Sequence, residues 1–290
     1  MSWLVIECPV PDGVGEATAD ALRRAGADGV SEEWRHGQTY VRAFWRDVAE
    51  TVVRAQTDAV LHCLVDVALL TAVPVYSLTG MEEQDWLEGW KQYFSPIEIS
   101  TRLAIVPSWE RYTPRVDQAV VTLDPGMAFG TGTHGTTATC LQAVDAFLAP
   151  GMAVCDVGTG SGILAIATVK LGAGRVVATD NDDLAIRVAH ENAALNDVAT
   201  IDFRVTDLLH GVDGAFDLVI ANILAPVILQ LIPQLPRVLC AGARFISSGY
   251  ILSQEADITT ALTHAGHHIL ARFEQDGWVT LVTSGPPDTQ

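Results

Sequence analysis

The sequence is short of positive charge: 17 Lys and Arg stand against 35 Asp and Glu, for a net charge of −18 over 290 residues. Lysine is almost missing, with Lys91 and Lys170 the two in the chain. Affinity for nucleic acid comes from Lys and Arg neutralising phosphates, so a direct nucleic-acid substrate is disfavoured. A basic protein partner, by contrast, would be steered toward such a surface. Cysteine is sparse and unpaired in pattern. The five, at positions 8, 63, 140, 155 and 240, are odd in number, widely spaced and without a C-x-x-C. That excludes a disulfide frame or a zinc site and predicts free thiols in a reducing compartment, with no metal. No basic start leads into an apolar run, so no secretory signal is expected. The apolar stretches Leu61 to Leu78 and Leu218 to Ile246 are broken by Asp66 and Pro74, and by Asn222, Pro226, Pro233 and Pro236. Neither makes a membrane span. With 49% hydrophobic and 18% charged residues, the chain has ample apolar surface to bury. A cytoplasmic globular protein of one or two domains is the expectation.

The pattern changes along the chain. Trp3 to Cys8 reads as a strand, Gly13 to Ala25 as a helix ending at Gly26, and Gly29 to Arg35 and Thr39 to Arg46 as strands around a His36-Gly37-Gln38 turn. Asp47 is placed to cap a helix running toward His62, and Val73 to Tyr76 to form a further strand. A β-α-β-β-α-β order in so short a span predicts a small ferredoxin-like α+β domain over residues 1–78. Residues 79–110 are acidic and aromatic, then strand-like from Ile97 to Val106, and suit a linker region with an interdomain helix. Residues 111–290 form the last domain, and from Ala149 onward it follows a regular β-α-β rhythm. Its strands are Met152–Val157, Arg175–Thr179, Ile201–Val205 and Asp217–Ala221, and its helices Ile163–Leu171 and Leu184–Asn196. Such alternation predicts a parallel, Rossmann-like α/β sheet covered on both faces.

The chemistry gathers at the ends of those strands. Val154-Cys155-Asp156-Val157-Gly158-Thr159-Gly160-Ser161-Gly162 is a strand running into a glycine-rich turn and a helix. Glycines there let the chain turn sharply and let a ligand approach the main chain. Dinucleotide enzymes use G-x-G-x-x-G, with a helix start that holds a pyrophosphate. The G-x-G-x-G spacing here, preceded by Asp156, instead resembles Rossmann-like methyltransferases. Asp180, at the tip of the next strand, can accept hydrogen bonds from both hydroxyls of a ribose; an acidic helix cap before Asn181-Asp182-Asp183 is the structural alternative. Asp207, one strand on, suits an adenine contact or a loop acid equally. Asn222 ends the apolar run Leu218-Val219-Ile220-Ala221, where a polar amide needs partners. Leu123 to Thr137 packs four glycines, hydroxyls, Phe129 and His134 into one segment, suited to a lid over a cofactor. His134 reads as a loop histidine and not as a base.

Three segments together resemble one family. D-P-G-M-A-F-G-T-G-T-H-G-T-T, D-V-G-T-G-S-G-I-L-A-I-A and V-I-A-N-I-L-A are similar to ribosomal protein methyltransferases of the PrmA type. W-L-E-G-W-K-Q-Y-F-S-P with I-V-P-S-W-E resembles their linker, and D-G-W-V-T-L their last strand. The resemblance spans roughly residues 80 to 284, the first 75 matching in pattern. It implies a Rossmann-like class I methyltransferase domain with S-adenosylmethionine as cofactor, and an N-terminal domain that recognises the substrate. The substrate that the resemblance implies is protein eleven of the large ribosomal subunit, methylated on lysine side-chain and N-terminal amines. Carried over by position, cofactor contacts fall on Thr137, Gly158, Gly160, Asp180 and Asn222, with Asn222 also positioning the amine. The chain departs from the family at Gly135, commonly proline, and at Thr159, commonly cysteine. An N-methyltransferase acting on a different protein or a small molecule is the alternative.

Overall fold

The computed structural model describes residues 2–11, 13–35, 38–67, 69–82, 95–123 and 135–285. The chain divides into two compact units, Met1–Tyr93 and Phe94–Gln290. Among the described residues no helix is long and apolar enough to cross a membrane.

The first unit is built from β1 (Ser2–Val10), α1 (Gly15–Arg24), β2 (Gly29–Arg35), β3 (Gln38–Arg46), α2 (Glu50–Asp66) and β4 (Ser77–Glu82). Its antiparallel sheet has the order β2-β3-β1-β4, the arrangement of a ferredoxin-like unit. Alternate residues of β3, Val41, Ala43 and Trp45, are buried with Ile6, Cys8 and Val10 of β1 against Leu22 of α1 and Val53 and Leu61 of α2. Two expectations shift here. The strand placed at Val73–Tyr76 begins instead at Ser77, because Pro74 has no N–H for a ladder and Val75 is 90% exposed. The helix expected to be capped by Asp47 starts at Glu50 with Ala49 at its N-cap. Asp47 sits earlier, at φ 53, a left-handed turn position that aspartate tolerates.

The second unit holds two sheets. β5 (Ile97–Glu98), β6 (Leu103–Pro107) and β7 (Ala119–Leu123) form one in that order. The single strand expected from Ile97 to Val106 is split, because the Ser100 hydroxyl accepts from the N–H groups of Arg102 and Leu103 (2.9 and 3.1 Å) and turns the chain. After α3 (Gly135–Phe147) come β8 (Ala153–Val157), α4 (Ile163–Lys170), β9 (Arg175–Asp180), α5 (Asp183–Leu195), β10 (Ile201–Val205) and β11 (Phe216–Asn222). Then follow α6 (Ala225–Leu231), β12 (Leu239–Ile251), α7 (Glu255–His264), β13 (His268–Gln275) and β14 (Trp278–Ser284).

The seven-stranded sheet runs β10-β9-β8-β11-β12-β14-β13, with β14 antiparallel to both neighbours. Side chains leave its central strands alternately for two cores. Val154, Leu218 and Ile220 enter one with α3 and α4; Cys155, Val219 and Ala221 enter the other with α6 and α7. Both faces are thus covered, as the apolar runs predict, in a Rossmann-like α/β domain. Strand order reverses at β8, flanked by β9 on one side and β11 on the other. In such sheets the ligand crevice opens outside the carboxyl ends of the strands at that switch point.

Candidate active site

The turn after β8 is held in place before any ligand is considered. Gly158, Gly160 and Gly162 all have left-handed backbone (φ 73, 54 and 81), which a side chain would strain. The N–H groups of Gly158 and Thr159 both donate to the Thr179 carbonyl on β9 (2.8 and 2.9 Å). A Cβ on Gly158 would overlap Cγ2 of Ile223, so the turn lies directly against the chain that follows β11. Asp156, fully buried at the end of β8, accepts a hydrogen bond from the Thr159 hydroxyl (2.7 Å). Burial pushes its carboxyl up to about 6, with the Thr159 hydroxyl pulling the other way.

Asp180 closes β9 and joins the turn. Its Oδ2 accepts from the Gly160 N–H (2.9 Å) and its Oδ1 from the Asp182 N–H (3.0 Å). The cap of α5 is Asp182, whose Oδ1 accepts from Leu184 N (2.8 Å). Asp180 is therefore released from the capping role its neighbours suggested. Each of its oxygens retains a further lone pair for a ligand donor. The next strand end is stitched to it, since Thr206 N donates to the Asp180 carbonyl (2.8 Å) and the Thr179 hydroxyl to the Leu208 carbonyl (3.1 Å). Between those tethers lies Asp207, exposed, with Leu208 beside it at φ 48.

On the other side of β8, Asn222 ends β11 in register with Ser248 of β12. Its Nδ2 reaches the Thr137 hydroxyl at 3.5 Å, in the first turn of α3. Its Oδ1 is buried with no hydrogen-bond partner among the described residues. A buried amide oxygen left unpaired costs about 1–3 kcal/mol, so it marks a place where a donor is expected to arrive. The structure thus joins Gly160 to Asp180 and Thr137 to Asn222 by direct hydrogen bonds, and ties Gly158 to the carbonyl of Thr179, with Ile223, next to Asn222, packed on Gly158. His134 and the segment from Asp124 lie outside the described residues.

Several contributors are absent from the motifs. Asn192 and Asn196, one turn apart on the buried side of α5 and just beyond it, serve two loops. Asn192 donates to the Ser161 carbonyl of the glycine turn (2.8 Å). Asn196 accepts from Thr122 N (2.8 Å) and donates to Thr122 O (2.6 Å), pairing with the edge of β7 as a strand would. Two asparagines on the same stripe as Ile186, Ala189 and Ala193 are the sequence signal that could have found them. Gly249 is a further case. It sits at φ 96 in a bulge of β12, and a Cβ there would overlap the Ile223 carbonyl.

Known proteins are similar to this chain over most of its length. The family described as ribosomal protein L11 methyltransferase (PrmA) matches residues 2–285. A ribosomal protein L11 methyltransferase from Desulfitobacterium hafniense is 40% identical over 305 residues, 97% of this chain and 97% of the relative. One from an Exiguobacterium species is 47% identical over 207 residues, 71% of this chain and 66% of its own length. A solved structure of ribosomal protein L11 methylase from Lactobacillus delbrueckii subsp. bulgaricus aligns with a TM-score of 0.63 at 43% identity, covering 67% of this chain and 99% of its own. A strand order that reverses at β8, a left-handed glycine turn tied to Asp180, and a match along nearly the whole length have one common explanation: the chain belongs to the ribosomal protein L11 methyltransferase (PrmA) family.

Proposed function

We propose that the protein transfers methyl groups from S-adenosylmethionine to lysine side-chain and N-terminal amines of ribosomal protein L11, in the cytoplasm. The observation that carries this reading is the pair formed by Asn222 and Thr137. An amide whose nitrogen lies 3.5 Å from a hydroxyl presents its buried, unpartnered oxygen to an incoming donor, and a substrate amine can supply that donor. The residues also fit the cofactor. The left-handed glycine turn packs against Ile223 and Ala189 and so brings its main chain to the strand ends, and Asp180 keeps lone pairs for ribose hydroxyls. Gly158, Gly160, Asp180 and Thr137 would hold it, and Asp207 stands at the neighbouring strand end for the adenine.

When bound, S-adenosylmethionine supplies a methyl group already activated on a sulfonium. The work left to the chain is alignment, which can account for about 7–11 kcal/mol of a barrier. Asn222 Oδ1 accepts one N–H of the incoming amine and so aims its lone pair. The Thr137 hydroxyl, 3.5 Å from Nδ2, favours this orientation of the amide. The amine must arrive neutral, and its transfer from water to the buried Asn222 oxygen favours loss of its proton. The first unit serves as the part that recognises the substrate, and the acidic chain suits a basic protein.

Transfer of labelled methyl to purified L11, followed by mass spectrometry, tests the reading. Label on lysine or N-terminal amines is expected. No label on L11, with S-adenosylmethionine still bound, would move the enzyme to another protein or a small molecule.

A further inference from the structure

Beneath Thr137 and Asn222 lies a buried chain of hydroxyls that neither the motifs nor the reaction requires. Thr280 of β14 donates to the Ser248 hydroxyl of β12 (2.7 Å), which donates to the Val279 carbonyl (3.0 Å). On its other side, Thr280 Oγ1 lies 2.7 Å from Thr139 Oγ1 of α3, and Thr139 Oγ1 is 2.9 and 3.1 Å from the carbonyls of Gly135 and Thr136. Thr139, Ser248 and Thr280 are each at most 1% exposed. The Cys140 thiol, pushed up to about 12 by burial, lies against Ser248 and Thr280.

The two ends of this chain are the two carriers of the site. Gly135 and Thr136 belong to the helical turn that bears Thr137. Ser248 stands in register with Asn222, and its carbonyl accepts the Ile223 N–H (3.1 Å). The same helix start presses on the β13–β14 hairpin, where a Cβ on Gly135 would come within 3.0 Å of the Gln275 carbonyl. Three buried hydroxyls are a costly way to fill a core that valine and alanine would fill without polar atoms. With the Thr280 proton spent on Ser248, the one Thr139 proton goes to Thr280 or to a carbonyl of its own helical turn; donated to Thr280, it completes a directional link from α3 to β12 that apolar packing does not enforce.

We propose that Thr280 is a positioning residue of the active site: by linking Thr139 to Ser248 it fixes Thr137 relative to Asn222 and so holds the Asn222 oxygen on its target. It touches neither cofactor nor substrate. The proposal rests on the methyl-transfer reading for its effect on turnover but not for its effect on Asn222.

The test compares Thr280→Val, which keeps shape and removes the hydroxyl, with Thr280→Ser, which restores it; Ser248→Ala cuts the same link from the other strand. Each full-length variant is examined for the side-chain amide resonances of Asn222 by NMR, for S-adenosylmethionine affinity, and for kcat and KM on L11. In Thr280→Val we expect shifted Asn222 resonances and kcat lowered about 10- to 100-fold, with cofactor affinity within about threefold of wild type. Thr280→Ser is expected to recover both kcat and the resonances. If Thr280→Val does not fold, Ser248→Ala is expected to show the same shift and loss. Folded Thr280→Val or Ser248→Ala protein with unmoved Asn222 resonances overturns the proposal whatever the substrate. Absent turnover in wild type, with resonances that move and recover as stated, counts against the substrate and supports the positioning role.

Discussion

Asn222 has two polar ends with different fates, and that difference can be measured. Its nitrogen is engaged by Thr137 while its oxygen is buried without a partner among the described residues. Replacing it with alanine removes the acceptor, and we expect kcat on L11 to fall about 100-fold, the order seen when one preorganised transition-state hydrogen bond is deleted. Turnover at the wild-type rate would remove its proposed role. Asp156 gives a different kind of expectation, because its carboxyl is raised from 3.8 to about 6 in the fold. A raised acid adds nothing unfavourable at a pH below its unfolded value, and its ionisation penalty grows as pH climbs through the folded one. Between about pH 4 and pH 7 the wild type should therefore lose on the order of 3 kcal/mol relative to Asp156→Asn. Any fixed cost of the new amide cancels when differences across pH are compared. Urea unfolding at several pH values checks this, and a stability difference independent of pH would contradict it. The glycines and Asp180 were legible in the sequence because their task is local: a left-handed turn, and a carboxylate at the next strand tip. Thr280 was not, because its meaning lies in a contact with Thr139, 141 positions away.

Elements show the same divide between local and distant causes. β10 falls at Ile201–Val205, as its pattern predicts, because the apolar and polar residues of Ile201-Asp202-Phe203-Arg204-Val205 alternate along the sequence. α3 had no such pattern to read. Every residue from Gly135 to Leu141 is buried, so it lacks the polar face that makes a helix visible. β4 was displaced by Pro74, and the β5–β6 turn was set by the Ser100 hydroxyl, effects of one residue each. α5 does more than cover the sheet. Through Asn192 and Asn196 it holds both the glycine turn and β7. Asn196→Leu would fill the space but leave the N–H and C=O of Thr122 unpaired. We expect a loss of about 2 kcal/mol in the unfolding free energy, measured by urea denaturation. A loss below about 0.5 kcal/mol would mean that water replaces the amide at the edge of β7.

At the scale of the whole molecule, charge is the dominant fact. With −18 overall, long-range attraction should speed the approach of a basic substrate and do little once it is bound. We expect kcat/KM on L11 to fall steeply as salt rises from about 50 to 500 mM, where the screening length shrinks well below 10 Å. The maximal rate should change little, and a kcat/KM indifferent to salt would argue that docking is apolar. Composition made this legible at once, as did the alternating rhythm that set the doubly wound class. The insertion of β14 between β12 and β13 was not legible, since pairing order follows from the completed core. That insertion also orders events during synthesis. Of the seven strands, β14 is the last to be made, yet it occupies an inner place and supplies Thr280. A nascent chain carrying the glycine turn, Asp180 and Asn222 still has β12 with a bare edge and β13 with no neighbour. Until β14 is made the growing polypeptide exposes these strand edges, and a product cut short before Trp278 is expected to be prone to edge-to-edge association.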